Sequence, residues 1–258
     1  MLLAIDVGNT HVVIGLIENG EILHIERLTS NTKDTEAEYA IKLRQIFEFE
    51  DVDYKNFEGA IISSAVPPLT ETLKAAVRRL TGIDSIVVSS GLRTGMNIRI
   101  DDPSTLGADL AVGGVAAIAY YSVPAIIVDL GTASTLFAVD GNKNFIGGAI
   151  IPGVGLSYSA LSAGTSLLPA ISITPPKKVI STNTVDCMRS GAVFGTAAMI
   201  DGMIERMEAE IGEKCTVVAT GGLASSIIPY CKRDDIICDN DLLLKGLWYL
   251  FQKNKKTK

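Results

Sequence analysis

The chain has 258 residues, 47% of them hydrophobic and 20% charged, and a net charge of −6 from 23 Lys and Arg against 29 Asp and Glu. That apolar content excludes a disordered chain and suffices for one or two folded domains, while the acidic balance lacks the broad electropositive field of a nucleic-acid binder. With only His11 and His24 present, a His-ligated metal centre or a Ser-His-Asp mechanism is hard to assemble.

The opening MLLAID is too short for the apolar region of a signal peptide, so a cytoplasmic protein is expected. The run closes on Asp6-Val7-Gly8-Asn9-Thr10, and a second apolar segment leads into Glu18-Asn19-Gly20, the pattern of a β-hairpin with an acidic turn at its start. Tyr39, Leu43 and Ile46 recur at helical spacing within Thr35 to Phe47. Ala60 to Ala65 is a short apolar strand ending in small residues, and Pro67-Pro68 opens a helix over Leu69 to Leu80. Residues 110 to 128 carry no charge, but Gly113, Gly114, Ser122 and Pro124 interrupt them; they read as a helix followed by a buried strand, not as a membrane span.

From Ile127 the N-terminal pattern returns as IVDLGTASTLFAVDGNKNF, with Asp129 in the place of Asp6, Gly131 in that of Gly8, and Asp140-Gly141-Asn142 as the turn. The two aspartates stand 123 residues apart, close to half of the chain, as expected if one α/β unit occurs twice. Residues 190 to 211 read as a helix, with Glu205 and Glu208 on a solvated face. Val217 to Gly222 repeats the strand with a small-residue end, and Leu242 to Phe251 is a Leu-rich helix whose Trp248 packs in the core or at a dimer contact. The cysteines, Cys187, Cys215, Cys231 and Cys238, form no CxxC pair and read as free buried thiols; Lys253, Lys255, Lys256 and Lys258 read as a solvated tail. Strands alternating with helices imply mixed sheets covered on both faces. The expected lobes are residues 1–118 and 119–258, sharing a cleft.

The chemistry concentrates at strand ends. Asp6 brings a carboxylate beside Gly8, Asn9 and Thr10, a turn able to hold phosphate or a hydrated cation, and Asp129 does the same beside Thr132, Ser134 and Thr135. A single Asp-x-Gly can equally begin an ordinary β-turn, but its recurrence at half-chain spacing favours a nucleotide triphosphate with Mg²⁺. Thr220-Gly221-Gly222 lets backbone approach a ligand, as nucleoside binding requires, or forms an ordinary strand-to-helix turn. P-loop, Rossmann and protein-kinase motifs are absent.

DVGNT at 6, IISSAVPPLT at 61, TGMNIR at 94, LGAD at 106, DLGTAST at 129, GGAIIPG at 147, NTV at 183 and ATGG at 219 resemble, in order and spacing, the type III pantothenate kinases. The likeness covers roughly residues 1 to 250. It implies duplicated ribonuclease H-like lobes of the actin-like ATPase kind around a shared nucleotide cleft, and a homodimer that phosphorylates pantothenate with ATP, Mg²⁺ and a monovalent cation, K⁺ or NH₄⁺. By the same resemblance Asp6, Val7, Gly8, Asn9, Thr10, His11, Val12 and Val13 bind ATP phosphates with Thr132, Gly221 serves the nucleotide, and the metal-binding residues are Asp129, for the monovalent cation, and Asp6. Asp109 is the general base; Gly107, Ala108, Leu110 and Thr184 line the acceptor pocket, with Gly147-Gly148 and Ile151-Pro152-Gly153 as a tight turn beside it.

The chain departs from the family pattern at four places. Leu110 stands where the family's GADR motif has the arginine expected to grip the pantothenate carboxylate, and a leucine forms no such ion pair. Ile100 replaces a tyrosine, His11-Val12 replaces Asn-Thr, and Val112-Gly113-Gly114 replaces a segment with an asparagine. Arg93 and Arg99 are either surface charges or substitutes for the missing guanidinium. These departures leave open a kinase of a related uncharged acceptor and a non-catalytic nucleotide-binding paralogue.

Overall fold

The computed structural model describes residues 1–255, so Lys256 and Lys258 of the basic cluster lie outside the described residues. The chain forms two compact units: one holds Met1–Gly95, Asp101–Ala119 and the stretch from Leu242, the other Met96–Ile100 and Tyr120–Asp241.

The first unit begins with strands β1 (Leu2–Val7), β2 (His11–Glu18) and β3 (Glu21–Thr29), joined antiparallel. Asn19 and Gly20 both have positive φ, the geometry of the two-residue hairpin turn that Asn-Gly favours. Helix α1 (Glu36–Phe49) follows, started by a capping box in which the Thr35 side chain accepts from the Glu38 N–H and the Glu38 carboxylate accepts from the Thr35 N–H. Then come β4 (Gly59–Ser64), helix α2 (Pro67–Thr81) and the short β5 (Ile86–Val87), giving the sheet order β3-β2-β1-β4-β5 with β4 parallel to β1 and β5.

Alternate residues of β1 point to opposite faces. Leu3, Ile5 and Val7 join Ile14, Ile62, Tyr39, Leu43, Leu69 and Leu73 in a core under α1 and α2. The C-terminal helix, numbered α8 below (Leu242–Asn254), packs on β1 and β4, and its buried Leu247, Leu250 and Phe251 explain why the chain returns to the first unit. Trp248 lies against the Gly20 turn of the same unit. Helix α3 (Ala108–Tyr120) buries Val112, Val115 and Ala116, so the uncharged run from 110 is a packed helix of 13 residues followed by a strand. No helix among the described residues is long and apolar enough to cross a membrane.

The second unit repeats the plan. Strands β7 (Ala125–Leu130), β8 (Ala133–Val139) and β9 (Asn144–Pro152) are antiparallel neighbours, β10 (Thr216–Thr220) and β11 (Ile237–Cys238) continue parallel to β7, and β6 (Asn97–Ile98) adds to the outer side of β9. Helices α4 (Val154–Ala163), α5 (Thr184–Ser190), α6 (Thr196–Ile211) and the one-turn α7 (Ala224–Ile227) complete it. The helix expected over residues 190 to 211 is continuous with α5: a π-helical stretch over Gly191–Gly195, in helical backbone at both ends, joins α5 to α6. Gly147 and Gly148 lie inside β9, where its register with β8 shifts, and Gly153 precedes α4, so they form no tight turn.

Two further expectations are corrected. Glu208 is not on a solvated face: its carboxylate accepts from Arg233 Nη1 at 2.6 Å and from the Cys215 N–H at 2.8 Å, tying α6 to the segment before β11. Of the four free cysteines only Cys215 is buried; Cys187 and Cys238 are exposed and Cys231 is half-buried. Burial pushes the Cys215 thiol up to about 11 and the Cys231 thiol up to about 12.

Candidate active site

In the first unit, β1 carries Asp6 to the end of the sheet on the face opposite the α1/α2 core, where it is half-buried and in register with Val13 of β2 and Ser63 of β4. The turn beyond it closes by a bond from the Gly8 N–H to the His11 carbonyl at 2.9 Å. Ser30, at the end of β3, clasps the same turn: its hydroxyl donates to the Gly8 carbonyl at 2.6 Å and its N–H to the Thr10 carbonyl at 3.0 Å. Sequence reading missed Ser30, because nothing local distinguishes a serine that reaches back 22 residues. Asn9, Thr10 and His11 are exposed. Val7 and Val12 are buried in the core, so these two offer a ligand only backbone groups.

Asp109 lies in the first turn of α3, where unpaired N–H groups and the helix dipole favour a carboxylate. It accepts from the Leu110 N–H at 2.9 Å. A Cβ at position 107 would come within 2.5 Å of Asp109 Oδ1, so Gly107 makes room for the carboxylate. Gly107, Ala108, Asp109 and Leu110 are all half-buried.

The second unit assembles a parallel set. Asp129, at the end of β7, is half-buried and in register with Thr135 of β8 and Thr220 of β10. Its turn is one residue shorter, closing from the Gly131 N–H to the Ala133 carbonyl at 3.1 Å, while the Thr132 carbonyl accepts from the Gly153 N–H at 3.1 Å. The Thr220-Gly221-Gly222 turn lies against it: Gly221 has φ +95°, and a Cβ there would stand 2.5 Å from Asp129 Oδ1 and 2.6 Å from the Leu130 nitrogen. Glycine is therefore required twice over, by backbone sign and by space. Asp129, Thr132 and Gly221, scattered in sequence, thus meet in one place, whereas Thr184 begins α5 as an exposed residue behind its N-cap Asn183.

No group of three or more His, Cys, Asp and Glu able to hold a metal occurs among the described residues. A lone carboxylate at each strand end is the kind of ligand that would steady Mg²⁺ carried on phosphates. The oxygens around each aspartate fit such hard cations, and two of them, Ser63 Oγ and Thr135 Oγ1, are buried without a hydrogen-bond partner. Neither candidate for the missing guanidinium is buried: Arg93 and Arg99 are both exposed. Arg99 acts instead on Asp140, where burial, the largest single effect, pushes the carboxyl up, but hydrogen bonds from Asn144 and Asn142 and, last, the Arg99 charge together outweigh it and hold the carboxyl below its ordinary value.

Solved structures share this architecture. The activator of the 2-hydroxyisocaproyl-CoA dehydratase from Clostridium difficile, with bound ADPNP, superposes with a TM-score of 0.56 at 16% identity, covering 100% of this chain and 98% of that one. The inorganic polyphosphate/ATP-glucomannokinase from Arthrobacter sp. strain KM gives 0.52 at 13% identity, covering 98% and 99%. The repeated sheet order and these neighbours define a protein of the actin-like ATPase fold, built from duplicated ribonuclease H-like lobes.

Within that class, the profile of the type III pantothenate kinases matches residues 2–206. The type III pantothenate kinase of Halalkalibacterium halodurans is 40% identical over 254 residues, covering 98% of this chain and 100% of its own, and that of Moorella thermoacetica is 41% identical over the same spans. The chain belongs to the type III pantothenate kinase family.

Proposed function

We propose that this protein transfers the terminal phosphoryl group of ATP to pantothenate, giving 4'-phosphopantothenate, the first step of coenzyme A biosynthesis. The observation that carries the proposal is the duplicated aspartate turn, Asp6 in one sheet and Asp129 in the other, in a chain of this family. The turn from Gly8 to His11, with the hydroxyl of Thr10, receives phosphate oxygens; Thr132 and the Gly221 turn serve the nucleotide. Asp6 steadies Mg²⁺, and Asp129 with its neighbouring hydroxyl oxygens holds a monovalent cation, K⁺ or NH₄⁺. The bound cations neutralise charge on the transferring phosphoryl group.

Asp109 orients the acceptor hydroxyl and takes its proton as transfer proceeds, which a carboxylate at a helix N-terminus is placed to do once the acceptor lies within hydrogen-bond reach. Gly107, Ala108, Leu110 and Thr184 line the acceptor side. The protein works as a cytoplasmic homodimer. A coupled ADP-release assay with pantothenate, Mg²⁺ and K⁺ tests the proposal: pantothenate-dependent turnover is expected, and nucleotide binding without it overturns the proposal.

One observation favours a second reading. Leu110 follows Asp109 directly on α3 and offers an acceptor carboxylate no cationic partner, so an uncharged relative of pantothenate is the competing acceptor. Faster turnover of an uncharged amide analogue than of pantothenate would establish it.

A further inference from the structure

Two adjacent serines end β4, and their hydroxyls have different fates. Ser64 Oγ is spent on the turn into α2, donating to the Val66 carbonyl and accepting from the Val66 N–H, both at 3.1 Å. Ser63 is 0% exposed, and its Oγ has no hydrogen-bond partner. Burying a hydroxyl unpaired is costly, and such a group survives where something absent from the resting protein satisfies it.

The register says what that is. Ser63 is the parallel partner of Asp6, so the two side chains leave the sheet on the same face from strands roughly 5 Å apart. Asp6's antiparallel partner is Val13, whose side chain has no donor to give. In the second sheet the same place beside Asp129 is held by Thr220, again a buried hydroxyl residue.

We infer that Ser63 is a positioning residue for the nucleotide site: with Mg²⁺ and nucleotide bound, its hydroxyl donates to the Asp6 carboxylate and fixes that carboxylate toward the cation. This rests on the reading of Asp6 as a phosphate- and cation-binding residue. The hydroxyl is then an investment made in the free protein and recovered on binding, and it leaves the acceptor side untouched.

The test compares Ser63→Ala, Ser63→Thr and Asp6→Asn with the wild type. The measurements are the ligand-free thermal midpoint, the Mg²⁺ concentration that half-saturates ATP binding by calorimetry, and the KM for pantothenate. Ser63→Ala is expected to keep or raise the ligand-free midpoint, to raise the half-saturating Mg²⁺ about tenfold, the scale of one hydrogen bond to a charged group, and to leave the pantothenate KM unchanged. Ser63→Thr, which keeps the hydroxyl as Thr220 does, is expected within about twofold of wild type. A Ser63→Ala protein whose Mg²⁺ requirement stays within that twofold, while Asp6→Asn loses Mg²⁺-dependent binding, overturns the role of Ser63 alone. If Asp6→Asn binds as the wild type does, the reading of Asp6 falls and this inference with it. A ligand-free midpoint lowered by Ser63→Ala, without a Mg²⁺ effect, assigns the serine to packing and likewise overturns the inference.

Discussion

Asp6 and Asp129 are the fifth residues of six-residue strands, each flanked by an antiparallel hairpin partner, Val13 or Thr135, and by a parallel strand that presents a hydroxyl residue, Ser63 or Thr220. The duplication therefore extends from strand order to the chemistry of single positions. It is also unequal: the Asp6 turn is one residue longer and ends in exposed Asn9, Thr10 and His11, whereas the Asp129 turn is shorter and is packed on by Gly221. A long, donor-rich turn suits phosphate, and a short one backed by hydroxyls suits a bare cation.

That inequality separates the effects of two equal substitutions. Asp6→Asn is expected to weaken Mg²⁺-dependent ATP binding by about tenfold or more. Asp129→Asn is expected to abolish the response of turnover to K⁺ or NH₄⁺ while nucleotide binding at saturating Mg²⁺ persists. Titrating each cation against each variant checks both; a K⁺ response that survives in Asp129→Asn contradicts the assignment.

The proposed acceptor side is tested at position 110. Leu110→Arg places a guanidinium one residue from Asp109, and kcat/KM for pantothenate is expected to rise about tenfold, the worth of one charged hydrogen bond, with no gain for an uncharged amide analogue. Steady-state kinetics on the two acceptors decide it. An equal gain on both would mean that the substitution acts through the helix and not through the acceptor's carboxylate.

Gly221→Ala forces a left-handed backbone onto an alanine and sets a methyl group against Asp129 Oδ1. A cost of about 1–3 kcal/mol is expected, seen as a thermal midpoint lowered by roughly 2–8 °C, together with weaker nucleotide binding. Gly222→Ala, at a position with no atom within 4 Å of its Cβ site, serves as the control and is expected to change neither.

The segment before β11 gives a pH signature away from the site. Hydrogen bonds from Arg233, then from Lys214, hold the Asp235 carboxyl at about 2, below the roughly 3.9 of an unfolded aspartate. Because the folded value is the lower one, the stabilisation is present above about pH 4 and is lost as pH falls toward 2. The difference in thermal midpoint between wild type and Asp235→Asn is thus expected to shrink between about pH 4 and pH 2; a difference constant with pH would contradict the ion pairing.

Much of the fold and of the site is legible in the sequence because strand ends, turns and helical spacing are local. The Asp-x-Gly turns, Asn19-Gly20, the helical spacing of Tyr39, Leu43 and Ile46, and the β10 strand with its Gly221 turn all carry their signal within a few residues. What escapes is what depends on distant partners. The return of α8 to the first unit is set by Leu247, Leu250 and Phe251 finding β1 and β4 more than 180 residues earlier. Ser30 clasping the Gly8 turn, Arg233 claiming Glu208, and the missing partner of Ser63 are tertiary facts with no periodicity to announce them. The π-helical widening at Gly191–Gly195 is likewise invisible, since its residues fit an ordinary continuous helix.

The most direct measurement is the fate of the phosphoryl group with and without the Asp109 carboxylate. Wild type and Asp109→Asn are incubated with ATP, Mg²⁺, K⁺ and pantothenate, and the product is identified by phosphorus NMR and mass spectrometry. The account predicts 4'-phosphopantothenate from the wild type, and from Asp109→Asn a rate lower by a factor of about 10²–10⁴, the range for a lost general base, with ATP binding and thermal midpoint retained. Phosphopantothenate formed equally fast by both proteins, or by neither while ATP is bound, would contradict it.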